Sequence, residues 1–193
     1  YGSTSGESVK RRLEILSQRL ANFDPAFAPL IGKGESSALR TSATLEQLGE
    51  DVAELVYADN ERYSASSGED RFKITNKSMR ALKRLAKPRS TEQTFLDLAD
   101  DLYFLVYEAT GNCARLPEPP PDYAMDVKFL RGWVRHDFDH GSTRDAATKR
   151  KRGAAALKKY SGKASLGECG PAEFLNAHQG LLRAFKEMLG SLA

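Results

Sequence analysis

The chain has 193 residues, which is enough for one sizeable hydrophobic core or for one domain with an appendage. Its 40% hydrophobic and 28% charged residues are typical of a globular protein and exclude a disordered one. No apolar run approaches the ~20 residues that a membrane-spanning helix needs, and no signal-peptide-like stretch is present. We therefore expect a cytoplasmic protein with no membrane partner.

Positive charge is concentrated in two places, although the net charge is only +3. Residues 143–163 contain eight Lys and Arg against one acid, and residues 71–89 contain eight and no acid. Such patches favour partners that carry phosphate, and a solvated outer face is the simpler alternative. Cys113 and Cys169 lack metal-type spacing, so we expect two reduced thiols.

The first part of the chain predicts two helices separated by a loop. Residues 1–6 have the composition of a tag or a flexible start. Apolar residues then recur every three or four positions from Glu7 to Phe23, which predicts an amphipathic helix. Residues 25–40 contain two prolines and two glycines and are predicted to form a loop. The next helix is predicted to begin near Thr41 or Ser42 and to end at about residue 64.

Three further helices are bounded by clear capping and terminating residues. A short helix is predicted from Asn76 or Ser78 until Pro88 ends it. The most apolar helix, predicted to be the central core helix, follows Thr91 and ends at Gly111. A terminal amphipathic helix has Pro171 in its first turn.

The proline-rich residues 116–122 predict an extended connector between two groups of helices. Residues 7–115 would supply the N-terminal helices or a helical subdomain, and residues 123–193 the C-terminal helices, together forming one compact domain. No stretch shows the two-residue alternation of a strand. The sequence therefore predicts an all-α bundle of about six to seven helices.

The segment from Leu130 to Gly141 combines histidine, arginine and aspartate side chains at an unusual density. It begins on a helix predicted to start at Asp122 or Asp126, and a basic helix capped by Thr143 follows it. Two of the three histidines lie in it, beside two arginines, two aspartates and the only tryptophan. These residues are Arg131, Trp133, Arg135, His136, Asp137, Asp139 and His140.

A metal site is one possible function of this segment. His136 and His140 have the i, i+4 spacing of zinc-binding helices, and an aspartate could add a ligand. The His136-Asp137 pair is similar to that of metal-dependent phosphohydrolases, but the chain has no upstream histidine, and His178 lies in another helix. Serine or cysteine nucleophile motifs and phosphate-binding glycine loops do not occur.

Metal-independent cleavage of RNA is the alternative that we favour. RNA carries its own nucleophile, so an enzyme needs only a proton-transferring group near neutral pKa and a cation for the phosphate. His140 and Arg135 supply these two groups. On an uninterrupted helix their five-residue step would separate them by about 140°. The two can converge only if the helix ends, or if another subunit completes the site.

An all-α chain with Arg135, the polar His136 and then His140 resembles the HEPN superfamily (higher eukaryotes and prokaryotes nucleotide-binding domain). Its signature is Arg-x4–6-His, and a second register runs from Arg131 to His136. The resemblance implies a ribonuclease without metal or cofactor that dimerises to form a composite cleft. It implies roles in toxin–antitoxin systems, phage defence or RNA processing, with an antitoxin or a fused regulatory domain as a possible controlling partner.

In this interpretation Arg135 holds the scissile phosphate, His140 transfers a proton and His136 assists. Arg131 and the run Lys149, Arg150, Lys151 and Arg152 would bind RNA. One alternative is a non-catalytic helical module that binds nucleic acid or protein within a larger assembly. Another is a metal-dependent phosphohydrolase that uses His136 and His140.

Simpler interpretations exist for several of these residues. Arg131 and Arg135 could pair with Asp126, Asp137 or Asp139 on a solvated helix face. Trp133 is expected to anchor the core, and His178 is expected to be structural or exposed.

Overall fold

A computed structural model describes residues 28–135 and 143–192 of the chain, with side chains described from residue 44 onward except at 143 and 144. Six α-helices make up most of these residues, and no strand occurs among them, which confirms the predicted all-α class. The helices are α1 (Ala28–Ser67), α2 (Asn76–Leu85), α3 (Glu92–Tyr103), α4 (Asp122–Val134), α5 (Thr143–Ser161) and α6 (Pro171–Ser191). Within the described ranges, no helix combines the length and the apolar character that spanning a bilayer requires.

The chain divides into two compact units, residues 1–43 and residues 44–193. The predicted helix Glu7–Phe23 lies outside the described residues. The predicted loop was wrong from residue 28 onward, because α1 already begins there. Pro29 is the second residue of α1, where a missing N–H removes no intrahelical hydrogen bond. The two glycines of this stretch each cost a helix only about 1 kcal/mol.

Threonine side chains begin α2 and α3, close to where the sequence predicts these helices to start. Thr75 Oγ1 accepts a hydrogen bond from the Ser78 backbone N–H at 3.2 Å, and Thr91 Oγ1 accepts one from the Thr94 N–H at 3.3 Å. In each case the residue three positions later returns a hydrogen bond to the cap, which makes a reciprocal capping box.

Helix α3 is the core helix that the sequence predicts. Its residues Phe95, Leu98 and Leu102 are fully buried. The ring of Phe95 packs 5.5 Å from that of Phe174, near the start of α6. Further along α6 the buried ring of Phe185 contacts two more aromatic rings. The core therefore lies mainly between α3 and α6, with α2, α4 and α5 packed around it.

A tight left-handed turn ends α3. A π-helical turn, Phe104–Glu108, extends the helix, and the chain then passes through Gly111, Asn112 and Cys113 with φ of 71°, 56° and 71°. Arg115 secures the turn, because its Nε donates to the carbonyl oxygen of Arg71 at 2.9 Å. The helix stop predicted at Gly111 is confirmed, although the π-helical turn was not foreseen.

Helices α4 and α5 approach closely because α5 carries a glycine at their contact. A Cβ atom at Gly153 would lie 2.2 Å from Trp133 Cβ and 2.8 Å from the carbonyl oxygen of Phe129. Trp133 is partly buried and packs against the core, as expected. The absence of a side chain at Gly153 therefore positions the basic helix directly against α4.

Two glycine-to-alanine substitutions should have opposite effects on stability. We expect Gly153→Ala to destabilise the chain by about 1–3 kcal/mol, because the added methyl overpacks the α4–α5 contact. Gly190→Ala in α6 meets no atom within 4 Å, so it should stabilise by about 0.5–1 kcal/mol through helix propensity. Urea unfolding of both variants measures the difference, and equal effects would contradict the close contact.

His178 is a structural residue of α6. Its side chain is fully buried, and Nε2 donates to the carbonyl oxygen of Leu85, at the end of α2, at 2.9 Å. Nδ1 is buried and has no hydrogen-bond partner within the described part of the chain. Burial, with a contribution from nearby Arg89, lowers the pKa of His178 to about 4, so the ring is neutral near pH 7.

Acid should destabilise the fold through His178. The unfolded chain binds this proton at a pKa near 6.5 and the folded chain only near 4, so stability is complete above pH 6.5. We expect it to fall by at most about 1.4 kcal/mol per pH unit between those values, and no further from this group below pH 4. Urea unfolding from pH 7 to 4 measures the loss. His178→Gln should show a smaller pH dependence, and an identical one would contradict the assignment.

Candidate functional site

Arg135 lies where α4 ends. The helix runs from Asp122 to Val134, and Arg135 is its C-terminal cap, with its backbone N–H donating to the carbonyl oxygen of Arg131 at 3.0 Å. Its side chain is about 30% exposed. The other motif residues, His136 and His140, lie outside the described residues. The Arg-x4-His motif therefore begins where α4 ends.

Two carboxylates of α3 hold the arginines of α4. Arg135 Nη2 donates to Asp100 Oδ2 and also lies 3.8 Å from Asp97 Oδ1. Arg131 Nε lies 3.4 Å from Asp100 Oδ1. These ion pairs join neighbouring helices, and they fix the Arg135 guanidinium at the surface of the α3–α4 contact.

The simpler interpretation named other aspartates as partners of these arginines. Asp137 and Asp139 lie outside the described residues. Asp126 instead accepts hydrogen bonds from Lys159 Nζ at 2.7 Å and from the Tyr160 hydroxyl at 2.8 Å. Burial and this hydrogen bond raise the pKa of Tyr160. Asp126 therefore ties α4 to α5.

Arg131 is held by an aromatic ring as well as by a carboxylate. Its guanidinium carbon lies 5.1 Å from the ring centroid of Tyr103, which stacks on Tyr107 at 5.1 Å. On the other side of this pair, Lys128 Nζ lies 3.1 Å from the Tyr107 hydroxyl. Cation–π contacts of this kind stabilise the α3–α4 contact. Of the predicted RNA-binding residues, Arg131 is therefore already engaged in helix packing.

The basic run of α5 faces solvent. Lys149, Arg150, Lys151 and Arg152 are all exposed, whereas Gly153, Ala156 and Leu157 are buried. The Arg152 guanidinium lies 5.0 Å from the ring centroid of Phe129 in α4. Lys149 and Lys151 form no ion pair within the described ranges. The structure thus places the predicted RNA-binding run on an accessible surface beside α4.

No group of three or more potential metal ligands occurs among the residues that the structure describes. His178, the third histidine of the chain, is buried against Leu85. It is therefore not available to a surface site with His136 and His140.

The described residues form an all-α helical bundle, in which the partly exposed Arg135 caps the C-terminal end of α4. Searches of family models, of curated proteins and of solved structures gave no match to the chain. The function of the Arg135 region is therefore inferred from its own residues.

Proposed function

We propose that the chain is a metal-independent endoribonuclease of the HEPN type. Arg135 holds the scissile phosphate, and His140 transfers a proton. The observation that carries the proposal is the position of Arg135, a partly exposed guanidinium at the end of α4 that α3 holds in place. A prepositioned cation stabilises the charge of a phosphoryl transition state without the cost of reorganisation.

The two carboxylates leave part of the guanidinium available. Asp97 and Asp100 both contact Nη2, and no ion pair or hydrogen bond engages Nε or Nη1 within the described part of the chain. Arginine presents five N–H donors in a rigid planar fork that fits phosphate oxygens. We infer that the aspartates orient Arg135 through Nη2, while the remaining donors bind the phosphate.

The reaction follows from the chemistry of RNA. The 2′-oxygen loses its proton and attacks phosphorus, and the bond to the 5′-oxygen breaks as that oxygen gains a proton. The products are a 2′,3′-cyclic phosphate and a 5′-hydroxyl. Histidine suits these transfers because its pKa lies near neutrality. His140 carries one transfer, and His136 assists.

A homodimer with a composite cleft would bring the histidines of a second motif to the same phosphate. Single-stranded RNA would reach the cleft along the exposed run from Lys149 to Arg152 on α5, which follows the motif in the chain. The proposed setting is a toxin, a phage-defence system or RNA processing, and an antitoxin or a fused regulatory domain would control the activity.

A second candidate is a non-catalytic helical module that binds nucleic acid or protein. The ion pairs of Arg131 and Arg135 with α3 favour it, because they stabilise the helix contact whether or not the chain is an enzyme. A metal-dependent phosphohydrolase built on His136 and His140 is the third candidate.

RNA cleavage in excess EDTA tests the proposal. We expect a labelled RNA oligonucleotide to be cleaved at the same rate with and without the chelator, and the DNA oligonucleotide of the same sequence to remain intact. Cleavage that EDTA abolishes and Mg²⁺ or Zn²⁺ restores would favour the metal-dependent candidate. RNA binding without cleavage under any condition would favour the non-catalytic module.

A further inference from the structure

The second basic segment, residues 71–89, divides into two groups in the folded chain. Three of its arginines pair with two buried carboxylates. Arg71 Nε lies 3.2 Å from Asp59 Oδ2, and both Arg84 and Arg89 bind Asp101. These three arginines are structural. Asp59 and Asp101 are therefore engaged by these arginines.

Lys77 also has partners, because its Nζ lies 3.4 Å from Glu108 Oε2 and 3.8 Å from the ring centroid of Phe104. Four cations then remain. All four are exposed, and no side chain among them forms an ion pair or a hydrogen bond within the described ranges. They are Lys73, Arg80, Lys83 and Lys87, here called the α2 row.

Three members of the α2 row form a narrow line on the outer side of the helix, and the fourth, Lys73, precedes the helix. Arg80 and Lys83 lie about 60° apart around the helix axis, and Lys87 continues the same line just after the C-terminal cap. The buried side, centred on Leu82 and Leu85, is opposite. Spacings of three and four residues correspond to about 4.5 and 6 Å along the axis. Cations at such intervals suit a chain of regularly spaced phosphates.

The helix that carries the α2 row and the cap of α4 pair with neighbouring residues of α3. Arg84, next to Lys83, binds Asp101 of α3, and Arg135 binds the preceding residue, Asp100. The C-terminal ends of α2 and α4 therefore meet α3 at consecutive residues.

We infer that the α2 row binds the sugar-phosphate backbone of the RNA substrate, on the α2 side of the scissile phosphate. That the bound polyanion is RNA rests on the proposed function. A protein partner fits less well, because protein interfaces centre on an apolar patch. Met79, 39% exposed, is the one exposed large hydrophobic side chain of α2.

The test measures binding of a labelled 2′-O-methyl RNA oligonucleotide, which cannot be cleaved through its 2′-oxygen, by the full chain at several salt concentrations. The variant Lys73→Gln, Arg80→Gln, Lys83→Gln and Lys87→Gln removes the row. We expect at least tenfold weaker binding near 0.1 M salt, and a salt slope smaller by about 2–3. The matched control exchanges Lys for Arg and Arg for Lys at the same positions and should bind as the unaltered chain does.

A folded row variant with unchanged RNA affinity and an unchanged salt slope would overturn the inference. Equally weakened RNA binding by the charge-retaining control would also overturn it, and so would the lack of any RNA binding by the unaltered chain. Cleavage of ordinary RNA in EDTA is measured in parallel. Cleavage by the unaltered chain together with unchanged binding by the row variant refutes the inference alone. Weakened binding by the row variant without cleavage by the unaltered chain refutes the proposed nuclease alone.

Discussion

Replacing Asp101 with alanine is expected to lower the free energy of unfolding by about 3–5 kcal/mol. Asp101 is only 5% exposed and accepts hydrogen bonds from Arg84. Arg89 Nη2 lies 3.6 Å from Asp101 Oδ2. The Arg89 side chain is itself only 8% exposed, so truncation leaves a buried guanidinium without its anion. Burial already lowers the pKa of Arg89, and Asp101 opposes that shift. Urea unfolding at pH 7 measures the loss.

The ion pair of Lys77 with Glu108 provides the matched control, because it joins α2 to the π-helical turn after α3 and lies at the surface. We expect Glu108→Gln to cost at most about 1 kcal/mol, as exposed ion pairs do. If Asp101→Ala cost no more than this control, the Asp101 cluster would not be the contact that fixes α2 to α3.

Replacing Arg135 with alanine is expected to reduce the rate of RNA cleavage at least about 100-fold, which is the usual cost of removing a donor to a developing oxyanion. The loss should fall mainly on kcat, because in the proposed mechanism the guanidinium acts on the transition state. Arg135→Lys keeps the charge but loses the planar fork, so we expect only partial recovery. His140→Ala should lose activity to a similar extent, because proton transfer contributes about 100-fold or more.

Unfolding would not account for that loss. Arg135 and its carboxylate partners are 30–48% exposed, so removing their ion pairs should cost at most about 1 kcal/mol. Arg183→Ala, which removes an exposed cation of α6, serves as the control and should retain full activity. Cleavage that persists in both Arg135→Ala and His140→Ala would assign the activity to another site or to a contaminant.

The parts of the fold that local sequence determines could be predicted. Thr91 caps α3 because its hydroxyl group satisfies a free N–H group, and Gly111 stops the helix because it accepts positive φ. The predicted start of α2, Asn76 or Ser78, lies close to its cap, Thr75. Composition wrongly predicted a loop from Ala28 onward, because two glycines and one proline near the helix start do not prevent a long helix from forming. The role of Gly153 depends on Trp133 of another helix, so it could not be foreseen.

The candidate site, like the fold, could be predicted from the sequence only in part. Sequence spacing drew attention to Arg135 and to the exposed run on α5, and the end of α4 places Arg135 at a surface. The aspartates that hold Arg135 lie 35 and 38 positions earlier, and only the packing of α3 on α4 brings them together. The three-residue spacing of Asp97 and Asp100, which places both on one side of a helix, was the sequence signal that could have indicated these partners. Likewise, no local pattern separates the structural arginines of residues 71–89 from the exposed α2 row.

The most direct measurement of the central claim uses RNA oligonucleotides in excess EDTA. One is entirely ribonucleotide, and another carries a single 2′-deoxynucleotide on the 5′ side of the bond that the first shows to be cleaved. We predict cleavage of the first to a 2′,3′-cyclic phosphate and a 5′-hydroxyl, and no cleavage of the second at that bond. Cleavage of both at the same bond, or complete dependence on added metal, would contradict the proposed mechanism.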